Sequence, residues 1–197
     1  MNINLFLSKS GIWGYPLLFL SILSLAIIIE RIIFYIYLYH RDRKVNINKY
    51  EKKLEKKQNL AGVEENDYFN EMLKNNFENY SYFSYTKVKI SLEKLWEKAK
   101  KNMNILEFTV KVAPLLGILG TISGIIKSFI AVGEFSLKKK ALVTSGISEA
   151  LLTTAAGLII SIFVMFWLYI FKWFRKRIFT KYEDFMTVFE AILNDGK

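Results

Sequence analysis

A chain of 197 residues that is 52% hydrophobic and contains no cysteine has no disulfides, thiolate metal sites or cysteine nucleophiles, and its apolar residues fall in three blocks that mark a membrane protein. The formal charge of +10 does not point to nucleic acid, because most basic residues flank the apolar blocks and no basic run carries a nucleic-acid motif. No metal-ligand cluster, activated nucleophile or phosphate-binding loop stands out, so neither an enzyme nor a cofactor is expected.

Residues 1–11 set Ile3, Leu5, Phe6 and Leu7 against a single Lys9 and predict an interfacial segment on the far side of the membrane. A cleaved signal peptide is not expected, since no basic run precedes the apolar stretch and no small-residue cleavage site follows it. Residues 12–39 predict the first spanning helix, entered near Pro16 and ended by His40-Arg41-Asp42-Arg43-Lys44. Glu30 and Arg31 lie at its inner end, where they are expected to find partners or to snorkel toward headgroups. The single histidine, His40, is expected at the interface.

Residues 40–104 change to Lys, Glu, Asn and Tyr, with apolar Val88, Leu92, Leu95 and Trp96 at helical spacing. This predicts cytosolic amphipathic helices that pack on each other or on extensions of the spans, with a turn at Asn59 to Asn66. Residues 105–133 predict the second span, interrupted only by Lys127. Residues 134–141 form a far-side loop carrying Lys138, Lys139 and Lys140. Residues 142–172 predict the third span, stopped by Lys172 and Arg175-Lys176-Arg177, and residues 173–197 an amphipathic tail helix. The loop lysines run against the positive-inside rule, but the other side holds far more Lys and Arg. The N-terminus is therefore expected outside and the C-terminus inside.

Two stripes of small residues follow from 100° per residue. In the second helix Ala113, Gly117, Gly120, Gly124, Ser128 and Ala131 share an arc, with Thr121 at its edge. In the third, Gly146, Ala150, Thr153, Gly157 and Ser161 do, with Thr154 on one edge and Glu149 on the other. Small residues let helix backbones approach closely in lipid. The two threonines are expected near one depth and, with Glu149, to form a polar strip. An ionised side chain at mid-membrane costs roughly 2.5–3.5 kcal/mol, so Glu149 is a functional candidate. Lys127 lies about 120° from Thr121 and is expected to snorkel toward the outer interface. Three helices enclose no pore, so oligomerisation is implied, with the stripes at subunit contacts or around a shared cavity.

The runs APLLGILGTISGIIKSF (Ala113 to Phe129) and GISEALLTTAAGLIISI (Gly146 to Ile162), with IIIERIIFY ending the first span, resemble the paired signature of the ExbB/TolQ/MotA proton-channel family. The resemblance covers all three spans and their order. It implies an all-α membrane protein with three transmembrane helices and long cytoplasmic extensions, assembled as a homopentamer in the bacterial inner membrane. It also implies a pore lined by the second and third helices around the single spans of an ExbD-like dimer, with proton flow driving a TonB-like protein. By the same resemblance Thr121, Glu149 and Thr154 fall on the family's polar pore positions, and the proton-carrying aspartate belongs to the partner. Gly117, Gly120, Gly124, Gly146, Ala150, Thr153 and Gly157 serve the pore or helix packing. A TolQ-like role in envelope maintenance, a non-conducting assembly scaffold and an autonomous cation channel are the competing readings.

Overall fold

A computed structural model of the chain describes residues 10–42, 47–56, 68–132 and 137–194, and every regular element among them is helical. A 3₁₀ turn, Gly11–Trp13, leads into α1 (Gly14–Asp42); α2 (Ile47–Glu55), α3 (Tyr68–Asn76), α4 (Tyr82–Lys100), α5 (Met103–Val132) and α6 (Leu137–Asn194) follow. Three helical stretches, Gly11–Arg41, Tyr82–Ile130 and Val143–Asn194, are long and apolar enough to cross a membrane by length and composition. The N-terminal nine residues, the turn expected at Asn59 to Asn66, and residues 133–136 lie outside the described residues, and residues 137–141, expected in the far-side loop, already belong to α6.

The chain divides into two compact units, Met1–Glu30 with Asn102–Tyr169, and Arg31–Lys101 with Ile170–Lys197. α4 and α5 are separated by Lys101 and Asn102, and Asn102 has φ 62°. Asn tolerates this left-handed backbone better than other residues with a Cβ, so NMN after the lysine run ends one helix and begins the next. The tail is not a separate helix. No Gly or Pro interrupts residues 159–194, and α6 runs unbroken from Leu137 to Asn194.

The first unit pairs α5 with the first part of α6 and adds the start of α1. Pro114 lies inside α5 and has no N–H to offer the carbonyl four residues back, at Val110. Ser161 of α6 replaces that donor, its hydroxyl reaching the Val110 oxygen at 2.7 Å. In a membrane a Ser or Thr side chain of a neighbouring helix is one of the few groups that can satisfy such a carbonyl.

In the second unit α2, α3 and α4 bury their apolar faces against each other and the end of α6. Leu54, Phe69, Leu73, Val88, Phe185 and Phe189 are fully buried there. Phe69 is central, with the rings of Tyr50, Tyr182 and Phe185 each 5.0 Å from its own; such pairs add about 0.5–1.5 kcal/mol each beyond area burial. Ser81 caps α4 by accepting from the Ser84 N–H at 3.2 Å. Arg31 does not snorkel. It is 2% exposed and donates to the Lys98 carbonyl at 2.9 Å, while Tyr35 donates to that of Ala99 at 3.0 Å. A cation and a hydroxyl thus satisfy the last carbonyls of α4, where the helix dipole is negative.

Candidate functional site

The two small-residue stripes meet each other inside one chain. A Cβ built on Gly157 stands 2.5 Å from the Ala113 oxygen, and one on Gly117 stands 3.0 Å from Thr154 Cα and 3.1 Å from the Thr153 oxygen. One on Gly124 stands 2.6 Å from the Gly146 oxygen and 2.9 Å from Ala150 Cβ. At Gly120 it runs into the Thr153 side chain and at Gly146 into the Ser128 hydroxyl. Ala113, Ala150 and Thr153 are buried along the same line. The stripes are therefore the seam between antiparallel α5 and α6. Of the two roles expected for these residues, the pore or helix packing, the contacts seen are packing between adjacent antiparallel helices of one chain, where close backbone approach in lipid needs small residues on both sides.

Hydroxyls stitch this seam. Thr154 Oγ1 donates to the Gly117 carbonyl at 2.9 Å. Ser128 Oγ lies 3.0 Å from the Gly124 oxygen of its own helix and 3.1 Å from the Val143 oxygen of α6. Thr153 bonds only within α6, 2.9 Å from the Ala150 oxygen.

The polar strip expected of Thr121, Glu149 and Thr154 is split by the seam into two edges. Glu149 and Thr154, five residues apart, sit about 140° apart around α6. Glu149 Oε1 is 2.8 Å from Lys127 Nζ, with side-chain exposures of 16% and 54%, so Lys127 pairs across the seam rather than snorkelling. α1 runs along this same edge. Thr109 is eighteen residues, about five full turns, before Lys127 on one line of α5, and its hydroxyl lies 3.1 Å from that of Ser24 in α1. At the head of α1, Gly11 has φ 57°, and a Cβ there would collide with the Glu149 carboxylate.

Thr121 and Thr154 occupy the opposite edge, both half-buried among exposed Ile118, Ile122, Ile125, Leu151 and Leu158. They are not at one depth: Thr154 faces Gly117, and Thr121 lies about one turn, ~6 Å, farther along α5. Thr121 Oγ1 donates to the Ile118 carbonyl at 2.6 Å. Each threonine hydroxyl thus lies within bonding distance of a backbone oxygen and keeps acceptor lone pairs facing outward. Such an edge accepts a hydrogen bond from water or from a protonated carboxyl group as it stands, and gives a hydrogen bond to a carboxylate only by turning a hydroxyl away from its backbone oxygen.

The Ser24–Thr109 contact, the Pro114–Val110–Ser161 arrangement and Gly11 were not singled out as a site by sequence. The available signals were lone hydroxyls in apolar runs and a proline within a span.

The profile of the MotA/TolQ/ExbB proton channel family matches residues 46–184, more than half of the chain. Over 76 residues the chain is 38% identical to a Synechocystis sp. protein named "Putative biopolymer transport protein ExbB-like 1", covering 37% of this chain and 30% of that protein. It is 38% identical over 80 residues to the biopolymer transport protein ExbB of Pseudomonas putida, covering 39% and 24%. With the ExbB of Salmonella typhimurium it shares 43% over 51 residues, covering 26% and 21%. The chain thus spans about a third or less of the length of these three relatives.

Proposed function

The chain belongs to the MotA/TolQ/ExbB proton channel family, and from that premise we propose that it is the ExbB-like inner-membrane subunit of a motor driven by the proton gradient. Five copies surround the single spans of an ExbD-like dimer, and proton flow energises a TonB-like protein for transport across the outer membrane. The N-terminus is periplasmic and the C-terminus cytoplasmic.

The observation that carries this reading is the threonine edge on the side of the seam away from α1. A partner helix lying along it brings a carboxyl group that alternates between charged and neutral forms. Thr121 and Thr154 hydrogen-bond the neutral, protonated form as they stand, and bond the charged form only by giving up a backbone contact. They therefore favour movement of the partner past them once it is protonated. A charge crossing 100 mV releases about 2.3 kcal/mol, enough to bias steps between arrangements of similar energy. The names of the three relatives above, ExbB or ExbB-like, favour this over the TolQ role.

Purification from membranes in mild detergent, with and without a co-expressed ExbD-like partner, followed by native mass spectrometry, tests the assembly. The reading expects five copies around a smaller number of partner chains. A monomer, or a closed oligomer that excludes the partner, contradicts it.

A further inference from the structure

Glu149 is the carboxylate of the GISEALLTTAAGL stretch, yet it faces away from the threonine edge and is held from two sides. Lys127 reaches it from α5 at 2.8 Å. From the other side comes the head of α1, where the Gly11–Trp13 turn packs against α5 and Gly11 leaves no room for a Cβ beside the carboxylate. The first turn of α1 has no acidic side chain of its own, and the start of a helix is its positive end. The Glu149 carboxylate of α6 lies beside this end, at Gly11. Gly11 suits the place twice over, because its φ of 57° is one that L side chains rarely adopt.

We propose that Lys127 and the Gly11 turn form a clamp that holds Glu149 as a positioning residue, tying α1 to the α5–α6 pair and keeping this carboxylate out of proton transfer. The inference rests on the reading above that protons pass along the Thr121–Thr154 edge. An ion pair inside a membrane balances within the chain and presents little net charge to a passing helix. Removing one member leaves the other unpaired, which costs more than removing both.

The test uses the full chain co-purified with its ExbD-like partner, thermal unfolding followed by circular dichroism, and proton flux into proteoliposomes. Lys127→Met and Glu149→Gln each lower Tm and flux together. Lys127→Arg keeps both, and the double variant Lys127→Met/Glu149→Gln regains Tm and more than half of the wild-type flux, with an unchanged pH profile. A double variant that regains Tm but conducts no protons makes Glu149 a carrier and overturns the proposal. So does a Lys127→Met protein with unaltered Tm. Should the double variant not fold, Gly11→Ala decides: its loss of Tm shrinks in a Glu149→Ala background if the contact is the clamp, and an equal loss in both backgrounds refutes it. A wild-type complex without flux sinks the functional reading and leaves the Tm pattern to judge the clamp.

Discussion

Ser161 of α6 donates its hydroxyl, at 2.7 Å, to the Val110 carbonyl of α5, the oxygen that Pro114 leaves without its helical N–H. The proline loosens α5 at the point where the neighbouring helix can repair it, and the repair fixes the register of the seam.

Ser161→Ala therefore costs about 1 kcal/mol of stability, because the Val110 oxygen loses a donor that nothing else replaces. In a Pro114→Ala background α5 restores its own bond and the cost shrinks. A double-mutant cycle by thermal unfolding in detergent measures the coupling; strictly additive losses would show that the two residues act separately.

The seam also predicts where size is forbidden. Gly157→Val places atoms against the Ala113 backbone, 2.5 Å from even the first added carbon, and costs at least about 1–3 kcal/mol, as overpacking does. Ala155→Val, two residues earlier on an exposed face, is the control and leaves the yield of folded protein near wild type. Equal yields of the two variants would mean that the seam tolerates separation.

Arg31 answers to geometry as well as charge. Its guanidinium lies 4.8 Å over the Phe34 ring while donating to the end of α4, an arrangement that a compact ammonium does not reproduce. Arg31→Lys is expected to lower stability by about 1–2 kcal/mol, and Arg31→Met by more, since α4 then loses a charge-assisted bond at its negative end. Chemical unfolding of the purified protein separates the three.

Much of this architecture was legible because its physics is periodic. Three apolar runs gave the three candidate spans, and Val88, Leu92 and Leu95 gave the buried face of α4. The small stripes were visible at 100° per residue, but sequence spacing does not say which neighbour a stripe meets, and here it is the adjacent helix of the same chain. The same limit hid the split of the polar strip. Glu149 and Thr154 flank one stripe, and only the course of α1 past Thr109 and Gly11 distinguishes the two edges. Lys127 was expected to snorkel for a related reason, since its partner is twenty-two residues away, across the seam.

Tyr80 gives the second unit an alkaline limit. Its hydroxyl donates to the Lys53 carbonyl at 3.3 Å, its ring packs 5.1 Å from that of Phe77, and burial raises its phenol above the ordinary value of 10.0. The folded protein holds this proton more tightly than the unfolded chain. The contribution is thus fully present below about pH 10 and is lost as pH rises through the raised value. Unfolding of wild type and Tyr80→Phe between about pH 8 and about pH 11 should show a steeper alkaline loss in wild type; parallel curves would assign the loss to other groups.

Whether protons pass along the Thr121–Thr154 edge is measured by proton flux into proteoliposomes holding the chain with its ExbD-like partner, compared with Thr121→Val, Thr154→Val and the chain alone. Flux is expected only when both proteins are present, with a loss of roughly tenfold or more in each valine variant and assembly intact, since a methyl in place of the hydroxyl removes the acceptor from a site that must bond a neutral acid. Undiminished flux through both variants, or flux through the chain without a partner, would contradict this path.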